Sequence, residues 1–389
     1  MRLITDQERR WRLARRHRLV GSPTTVDDAA AALVGLHSTD PVTVFLAIAV
    51  RGAADSVTEV EAALYEHRTC LRMLGMRRTL FVVPVDGISV VQRAYTDSFV
   101  ERERKRLAGW FETTGVAADG AAHIDAMIDV VFDMLEELGD ASTRELTTGR
   151  PELDRRFVPP VGSQTGSLSV GSRIVLLMTA SGALARTRPL GTWISSQYRY
   201  APMSRWIGTD VAEMDAAIAR AHLARAWLSG YGPGTVTDLQ WWTGWNLGQT
   251  RAALGDVGAV EVALESGPGF VLADDLAPVD PVDPWAALLP ALDSTPMGWK
   301  QRDWYLGDHV PHVFDRNGNV GPTVWWDGRV VGGWAQRADG ELAIEYLEDI
   351  PADGRRLVEV EADRLSAFIG PSRFTPRFAT PLERRLATS

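Results

Sequence analysis

The stretch from residue 235 to 275 constrains the fold more than any other part of this chain. Thr237 is placed to cap a short helix, Asp238–Thr243; Gly244 permits a tight turn; and Asn246 or Leu247 starts a second helix that runs through Arg251 and Leu254. Two alternating runs follow, Ala259–Glu265 and Phe270–Ala273, joined by Ser266-Gly-Pro-Gly269, which reads as a hairpin. Helix, tight turn, helix and hairpin is the order of a winged helix.

The same order can be traced a second time. A long helix is expected over 122–138. Ser142-Thr-Arg-Glu-Leu146 opens a short one with a capping hydroxyl and an acidic first turn, Ser172–Ser181 forms a third, and Leu184–Thr187 with Trp193–Tyr200 supply wing strands. Residues 1–100 fit a third copy more loosely. They contain a basic helix over the first 20 residues, Ala29–Leu36 opened by Thr25-Val-Asp-Asp28, a buried helix at Val42–Val50, an amphipathic helix at 57–67, and a strand pair in Leu71–Val83 around Arg77-Arg78-Thr79. From residue 276 the pattern turns to a proline-rich linker and short strands. Asn317-Gly318 and Asp327-Gly328 flank the strand Val320–Trp326, and a helix closes the segment at Glu359–Phe368. The expected fold is α+β: three tandem winged-helix units, at 1–110, 111–208 and 209–275, then a mainly β C-terminal domain at 276–389.

Composition narrows the function. With 45% apolar and 23% charged residues the chain is globular. No apolar run nears the ~18–20 residues of a membrane span, and the first residues lack a secretory core. Cys70 is the one cysteine, which excludes an internal disulfide and a Cys-rich zinc site and makes a reducing cytoplasm the expected compartment. His309-x-x-His312 has neither an accompanying Cys nor a helical H-E-x-x-H pattern, so no metal is expected. The net charge of −9 argues against a polyanionic partner until it is divided: residues 1–110 carry 17 basic against 13 acidic side chains, the remainder 24 against 37. A local field steers a polyanion, so DNA is expected along the front of the chain.

Gly35-Leu36-His37-Ser38-Thr39-Asp40-Pro41 lies in that basic front, at a break between two apolar helices. With a near-helical local backbone His37 and Asp40 face the same way. They can then polarise a water, Asp40 orienting it and His37 acting as base near neutral pH, while Thr39 holds it by its hydroxyl. A second reading stands beside this one, in which Asp40-Pro41 is an N-cap and first-turn pair and His37 is a hydrogen-bonded core histidine. Arg77 and Arg78 precede an apolar strand and are candidate phosphate contacts. Ser163-Gln-Thr-Gly-Ser-Leu-Ser169 reads either as an anion-holding loop or as a linker. Trp241, Trp242 and Trp245 fall where a helix-turn-helix buries its hinge.

The layout Leu33-x-Gly-Leu-His-Ser-Thr-Asp-Pro41, with Arg72-Met-Leu-Gly-Met-Arg-Arg-Thr-Leu80 and Gln197-Tyr-Arg-Tyr-Ala-Pro202, resembles the AlkZ/YcaQ family of bacterial DNA glycosylases. Val313-Phe-Asp-Arg-Asn-Gly-Asn-Val-Gly-Pro-Thr-Val324 and Asp327-Gly-Arg-Val-Val-Gly332 extend the resemblance through most of the chain. It implies three winged-helix units forming a concave DNA surface, a C-terminal β domain, and removal of alkylated purines, bulky antibiotic adducts included, with protection of a producer from its own alkylating metabolite as one such role. The family's Gln-x-Gln or Gln-x-Asp motif falls on His37 and Thr39, so neither glutamine is present and Asp40 is the neighbouring carboxylate. The catalytic set implied is His37, Thr39 and Asp40. The DNA-contacting set is Arg77, Arg78, Arg10, Gln197, Arg199 and the Arg316-Asn317 hairpin tip. No lysine lies in the motif, which points to a monofunctional hydrolase and not a Schiff-base lyase. No cofactor is implied, and the partner is duplex DNA with an alkylated purine, met by a monomer without a membrane. A transcription regulator is the first alternative, although no dimerisation heptads are evident, and a protein-interaction scaffold the second.

Overall fold

A computed structural model of the chain describes residues 1–21, 24–148, 150–160 and 166–388. A two-residue strand, β1 (Leu3–Ile4), leads into α1 (Asp6–Arg16), whose start is capped by Thr5 Oγ1 accepting the Glu8 N–H. One order of elements then occurs three times: a helix, a minimal strand, two more helices, and a hairpin whose second strand pairs with the minimal one.

In the first occurrence these are α2 (Val26–Ala32), β2 (Leu36–His37), α3 (Pro41–Val50), α4 (Val57–Glu61), β3 (Cys70–Leu74) and β4 (Leu80–Pro84), with β4 central in the sheet. The second follows α5 (Asp97–Thr113) and comprises α6 (Gly120–Leu138), β5 (Ala141–Ser142), α7 (Thr143–Thr148), α8 (Val170–Ala180), β6 (Leu184–Pro189) and β7 (Tyr198–Pro202), with β7 central. In the third, α9 (Ala216–Tyr231) is followed by a one-residue bridge from Gly234 to Phe270. Then come α10 (Val236–Thr243), α11 (Leu247–Asp256), β8 (Val260–Leu264) and β9 (Gly267–Val271). The tail folds β10 (Ala286–Leu289), β11 (Thr323–Trp326), β12 (Arg329–Gln336) and β13 (Leu342–Tyr346) into a consecutive antiparallel sheet, followed by α12 (Ala352–Ile369) and α13 (Pro381–Thr388).

Several boundaries differ from those read off the sequence, each for a local reason. The cap of α10 is Thr235, not Thr237. Thr235 Oγ1 accepts the Asp238 N–H while Asp238 Oδ2 accepts the Thr235 N–H, a reciprocal box that fixes the start two residues earlier. Leu264 lies opposite Gly267, so Glu265-Ser266 alone turns the β8–β9 hairpin and Gly267-Pro-Gly269 belongs to the strand. The tail is less β-rich than expected, because α12 runs from Ala352 and α13 adds a further helix outside its sheet.

The first 16 residues do not stay with the first unit. β1 pairs in parallel with β8, and α1 is held by the tail: Arg10 Nε donates to the Trp304 carbonyl at 2.9 Å and Arg12 meets Asp275 at 2.7 Å. One apolar core spans the first unit, the third unit and the tail, with Trp227, Trp242, Trp299, Trp325 and Trp334 among its fully buried side chains. The second unit buries a core of its own around Phe111, Ile124, Ile174 and Leu184. Across this core Arg77, Trp241 and Arg302 meet, and Arg377 is set against Asp40.

Candidate active site

Gly35 begins the site. Its φ is +106°, and a Cβ there would lie 3.0 Å from Val83 Cγ1, so the chain can leave α2 and pass this close to β4 only as glycine. It leaves as a strand. Leu36 pairs with Val82 and His37 with Phe81, which overturns the helical geometry expected for 37–40: His37 and Asp40 are not neighbours on a helical face. On the outer edge of β2 no strand follows, and the Ser294 hydroxyl takes that place, accepting the His37 N–H and donating to the Gly35 carbonyl, both at 3.0 Å.

His37 is buried edge-on to Phe81, and its Nδ1 has no partner among the described residues. Burial, with the Arg77 charge second, pushes its imidazole down to about 3. It is therefore neutral at pH 7 and a weak base, which corrects the expectation of a base titrating near neutrality. Asp40 caps α3, Oδ1 accepting the Val42 N–H at 3.2 Å, and its Oδ2 accepts the Arg377 N–H at 3.0 Å. The N-cap reading of Asp40 is thus observed, and a carboxylate with two bonds retains lone pairs for a further donor. Thr39 is half-buried and its Oγ1 accepts the Leu80 N–H at 3.4 Å.

The loop is fixed from behind by an ion pair with both side chains fully buried. Arg51, at the end of α3, meets Asp293 through two bonds of 2.8 and 2.9 Å and donates to Thr295 Oγ1, which also meets His17 Nδ1 at 2.9 Å. Burial pushes the Asp293 carboxyl up and Arg51 more than offsets it, holding it below the ordinary range. Ser294 sits between the two anchored residues.

In front of the loop lies the β3–β4 tip. Arg77 and Arg78 both have positive φ, 55° and 62°, and the Thr79 N–H closes the turn on the Met76 carbonyl at 3.2 Å. Asn-Gly is the usual occupant of such a turn, and each bulky residue held there costs on the order of 1–3 kcal/mol. The Arg77 guanidinium lies 4.0 Å from the Trp241 ring centroid, and Arg302 lies 5.2 Å from the same ring and 4.4 Å from Phe314. Burial, then the charge of Arg302, pushes Arg77 down to about 10. Trp241 is half-buried between two cations and is not the core residue expected of it, unlike Trp242 and Trp245. Beside the tip a cleft of about 700 Å³ is lined by Arg78, Arg102, Arg220, Asn246 and Gln249, with Glu101 and the Arg93–Asp97 pair also on its wall. Asn246 caps α11, so the helix start opens into this cleft.

The family model for DNA glycosylase AlkZ-like proteins matches residues 30–368. This chain belongs to the AlkZ-like DNA glycosylase family. Among solved structures the Streptomyces sahachiroi DNA glycosylase AlkZ is similar with a TM-score of 0.71 and 21% identity, over 93% of this chain and 96% of that one. No curated protein matches the chain.

For this AlkZ-like chain the remaining residues singled out in the sequence fall into two groups. Arg10 is bound to the tail at Trp304, and Arg199 is held between Asp140 at 2.9 Å and Glu145 at 2.8 Å, so both guanidiniums already have partners within the chain. Gln197 is exposed on the turn between β6 and β7, its carbonyl accepting the Leu190 N–H, and has no contact with the 37–40 loop among the bonds of the described residues. Arg316 and Asn317 are exposed at the tip of the turn that Phe314 and Val320 close, next to Arg302. The Ser163–Ser169 loop lies partly outside the described residues. His309 meets Glu348 at 3.4 Å, and among the described residues no three His, Cys, Asp or Glu side chains gather as metal ligands. No helix among them is long and apolar enough to cross a membrane. Trp241, Arg302, Arg102, Arg220 and Ser294 were not singled out as site residues from the sequence, because nothing local marks them. Each acquires its place from a contact between distant segments.

Proposed function

We propose that this family member is a cofactor-independent, monofunctional glycosylase that hydrolyses the N-glycosidic bond of alkylated purines in duplex DNA, working as a cytoplasmic monomer. The bulky adducts of DNA-alkylating antibiotics fall within that class, and self-protection of a producer is the role it suits. The three repeats of helix, strand, two helices and hairpin support reading residues 26–84, 120–202 and 216–271 as tandem winged-helix units.

One observation carries the reading. Arg78, Arg102 and Arg220 share the cleft beside the β3–β4 tip, Arg77 and Arg302 flank Trp241, and Arg316 shares a groove with Arg377, whose main-chain N–H is bonded to Asp40; Arg78, Arg102, Arg220 and Arg316 have no ion-pair partner among the described residues. Unpaired cations so arranged repel one another, and a polyanion relieves this. The chemistry asks little more. An N7- or N3-alkylated purine is already cationic and leaves C1′ without a strong acid, so the site must steady an oxocarbenium-like sugar and place a water. Asp40 supplies the negative charge, Thr39 a hydroxyl within reach of the same water, and a neutral His37 adds no cation that would oppose the developing one.

DNA binding without cleavage, as in a regulator, is the second reading, and it is favoured by the capture of both Asp40 oxygens by main-chain N–H groups. Incubation with duplex carrying N7-methylguanine, followed by hot alkali to reveal abasic sites, separates the two. Strand breaks at the lesion are expected; tight binding with no breaks for any adduct overturns the enzyme reading.

A further inference from the structure

The segment that touches Asp40 from outside lies beyond the family match, which ends at residue 368. Two carboxyls hold it. Asp40 Oδ2 accepts the Arg377 N–H at 3.0 Å, and Glu383 Oε2 accepts the Thr380 N–H at 3.4 Å. Thr380 is buried against Gly321, where an added Cβ would sit 2.7 Å from its side chain, so this end of the segment is set by the tail core. Arg377 also reaches the Thr39 carbonyl with Nη1 at 3.5 Å.

In front of this segment a groove of about 500 Å³ is lined by Asp315, Arg316, Asn317, Arg377, Phe378 and Arg384. Arg316, Arg377 and Arg384 are exposed and have no carboxylate partner among the described residues. The adjoining Asp315 does not neutralise them through bonds: Oδ1 accepts the Asn317 and Asn319 N–H groups, each at 2.8 Å, and Oδ2 accepts Asn319 Nδ2 at 2.9 Å. Arg385, next along α13, points elsewhere, onto Glu345 at 2.7 Å. Three guanidiniums converge on a groove whose back wall is bonded to the loop bearing Thr39 and Asp40.

We propose that residues 377–384 form a phosphate-binding wall of the active site, Arg377, Arg384 and Arg316 gripping successive DNA backbone phosphates beside the reacting nucleotide. The planar fork of arginine matches phosphate oxygens, and three of them around one groove fix the register of the strand relative to Asp40. This rests on the reading that DNA lies across this face, and it adds a site made by the chain's last helix.

The test is binding of the full chain to an undamaged duplex, by fluorescence anisotropy across a salt series. Arg316→Ala, Arg377→Ala and Arg384→Ala are each expected to flatten the slope of log affinity against log salt by about 0.9 per lost phosphate contact, with the lysine variants at the same positions restoring most of it. Arg384→Glu is expected to weaken binding further than Arg384→Ala. All three are exposed side chains, and a thermal midpoint equal to that of the unaltered chain confirms folding. Slopes equal to wild type in all three alanine variants, or losses that lysine does not restore, overturn the proposal. The two readings fail separately: base release by the unaltered chain with unchanged slopes refutes the wall alone. Flattened slopes with no adduct released refute the glycosylase reading alone.

Discussion

The His37 main-chain N–H rests on the Ser294 hydroxyl at 3.0 Å, so a tail residue acts as the missing strand on the open edge of β2. Ser294 is placed in turn by Asp293 and Thr295, which are tied to Arg51 and His17. Ser294→Ala leaves a buried N–H and the Gly35 carbonyl without this partner, at a cost of about 1–3 kcal/mol. That loss is expected in denaturant unfolding, together with a fall in single-turnover base release larger than the fall in DNA affinity. Release unchanged in a measurably destabilised variant would show that Ser294 supports the fold without positioning the loop.

The β3–β4 tip should trade stability for binding. Glycine adopts the positive φ of Arg78 freely, so Arg78→Gly relieves strain, partly offset by the greater freedom of glycine in the unfolded chain. Stability is expected to hold or rise by up to about 1 kcal/mol, while the salt slope of duplex binding flattens by about 0.9. Clear destabilisation on urea titration would mean that the side chain is needed to hold the turn.

Two imidazoles should not titrate in the physiological range. His17 and His37 are both pushed down to about 3 by burial, with Arg51 contributing second at His17 and Arg77 at His37. Each binds its proton more readily in the unfolded chain, so the stability it contributes is complete above pH ~6.5 and is lost as pH falls towards 3, by about 1.4 kcal/mol per pH unit for each. Histidine Cε1–H resonances of these two, assigned through His17→Gln and His37→Gln, should stay fixed from pH 8 to 5. Movement with a midpoint near 6.5 would place either ring in contact with solvent.

Glu383 has the opposite sign. Burial pushes its carboxyl up to about 7, the Asp40 charge adding to this and the Thr380 N–H opposing it. The folded chain holds this proton more tightly than the unfolded one, so its contribution is present below pH ~4.5 and is lost as pH rises through 7. Glu383→Gln keeps an acceptor for Thr380 without the charge. It should be more stable than wild type at pH 8, by on the order of 2 kcal/mol, with the difference shrinking towards pH 5. A difference independent of pH would contradict a buried, protonated carboxyl.

Much of the local structure was legible because its causes are local. The apolar run of α3, the strand pair around Arg77-Arg78, Asn246 as the cap of α11 and Gly244 in the left-handed turn before it all depend on residues within a few positions of one another. The Thr235-x-x-Asp238 box is equally local, but Thr237, directly before Asp238, competes with it as a cap. What could not be read is what distant segments do to a side chain. The basic helix α1 looked like a DNA surface, but Arg12 and Arg16 meet Asp275, about 260 residues away, and Arg15 donates to the Asp280 carbonyl. The interface proposed instead is composite, drawn from the β3–β4 tip, α5, α9, α10 and α11, and the tail. The His37-Ser-Thr-Asp40 segment was recognisable as a site by its residue types. Its strand geometry, the low basicity of His37 and the hold of Arg377 on Asp40 were not.

The most direct measurement is single-turnover release from a duplex carrying one N7-methylguanine, comparing the unaltered chain with Asp40→Asn. Asparagine caps a helix about as well as aspartate, so α3 should persist, while the charge beside the sugar is removed. The account predicts release by the unaltered chain and a loss of roughly 100-fold in the variant, with duplex affinity nearly unchanged. Equal release by the two proteins would contradict the assignment of Asp40, and no release by the unaltered chain from this or bulkier N7 adducts would contradict the proposed activity itself.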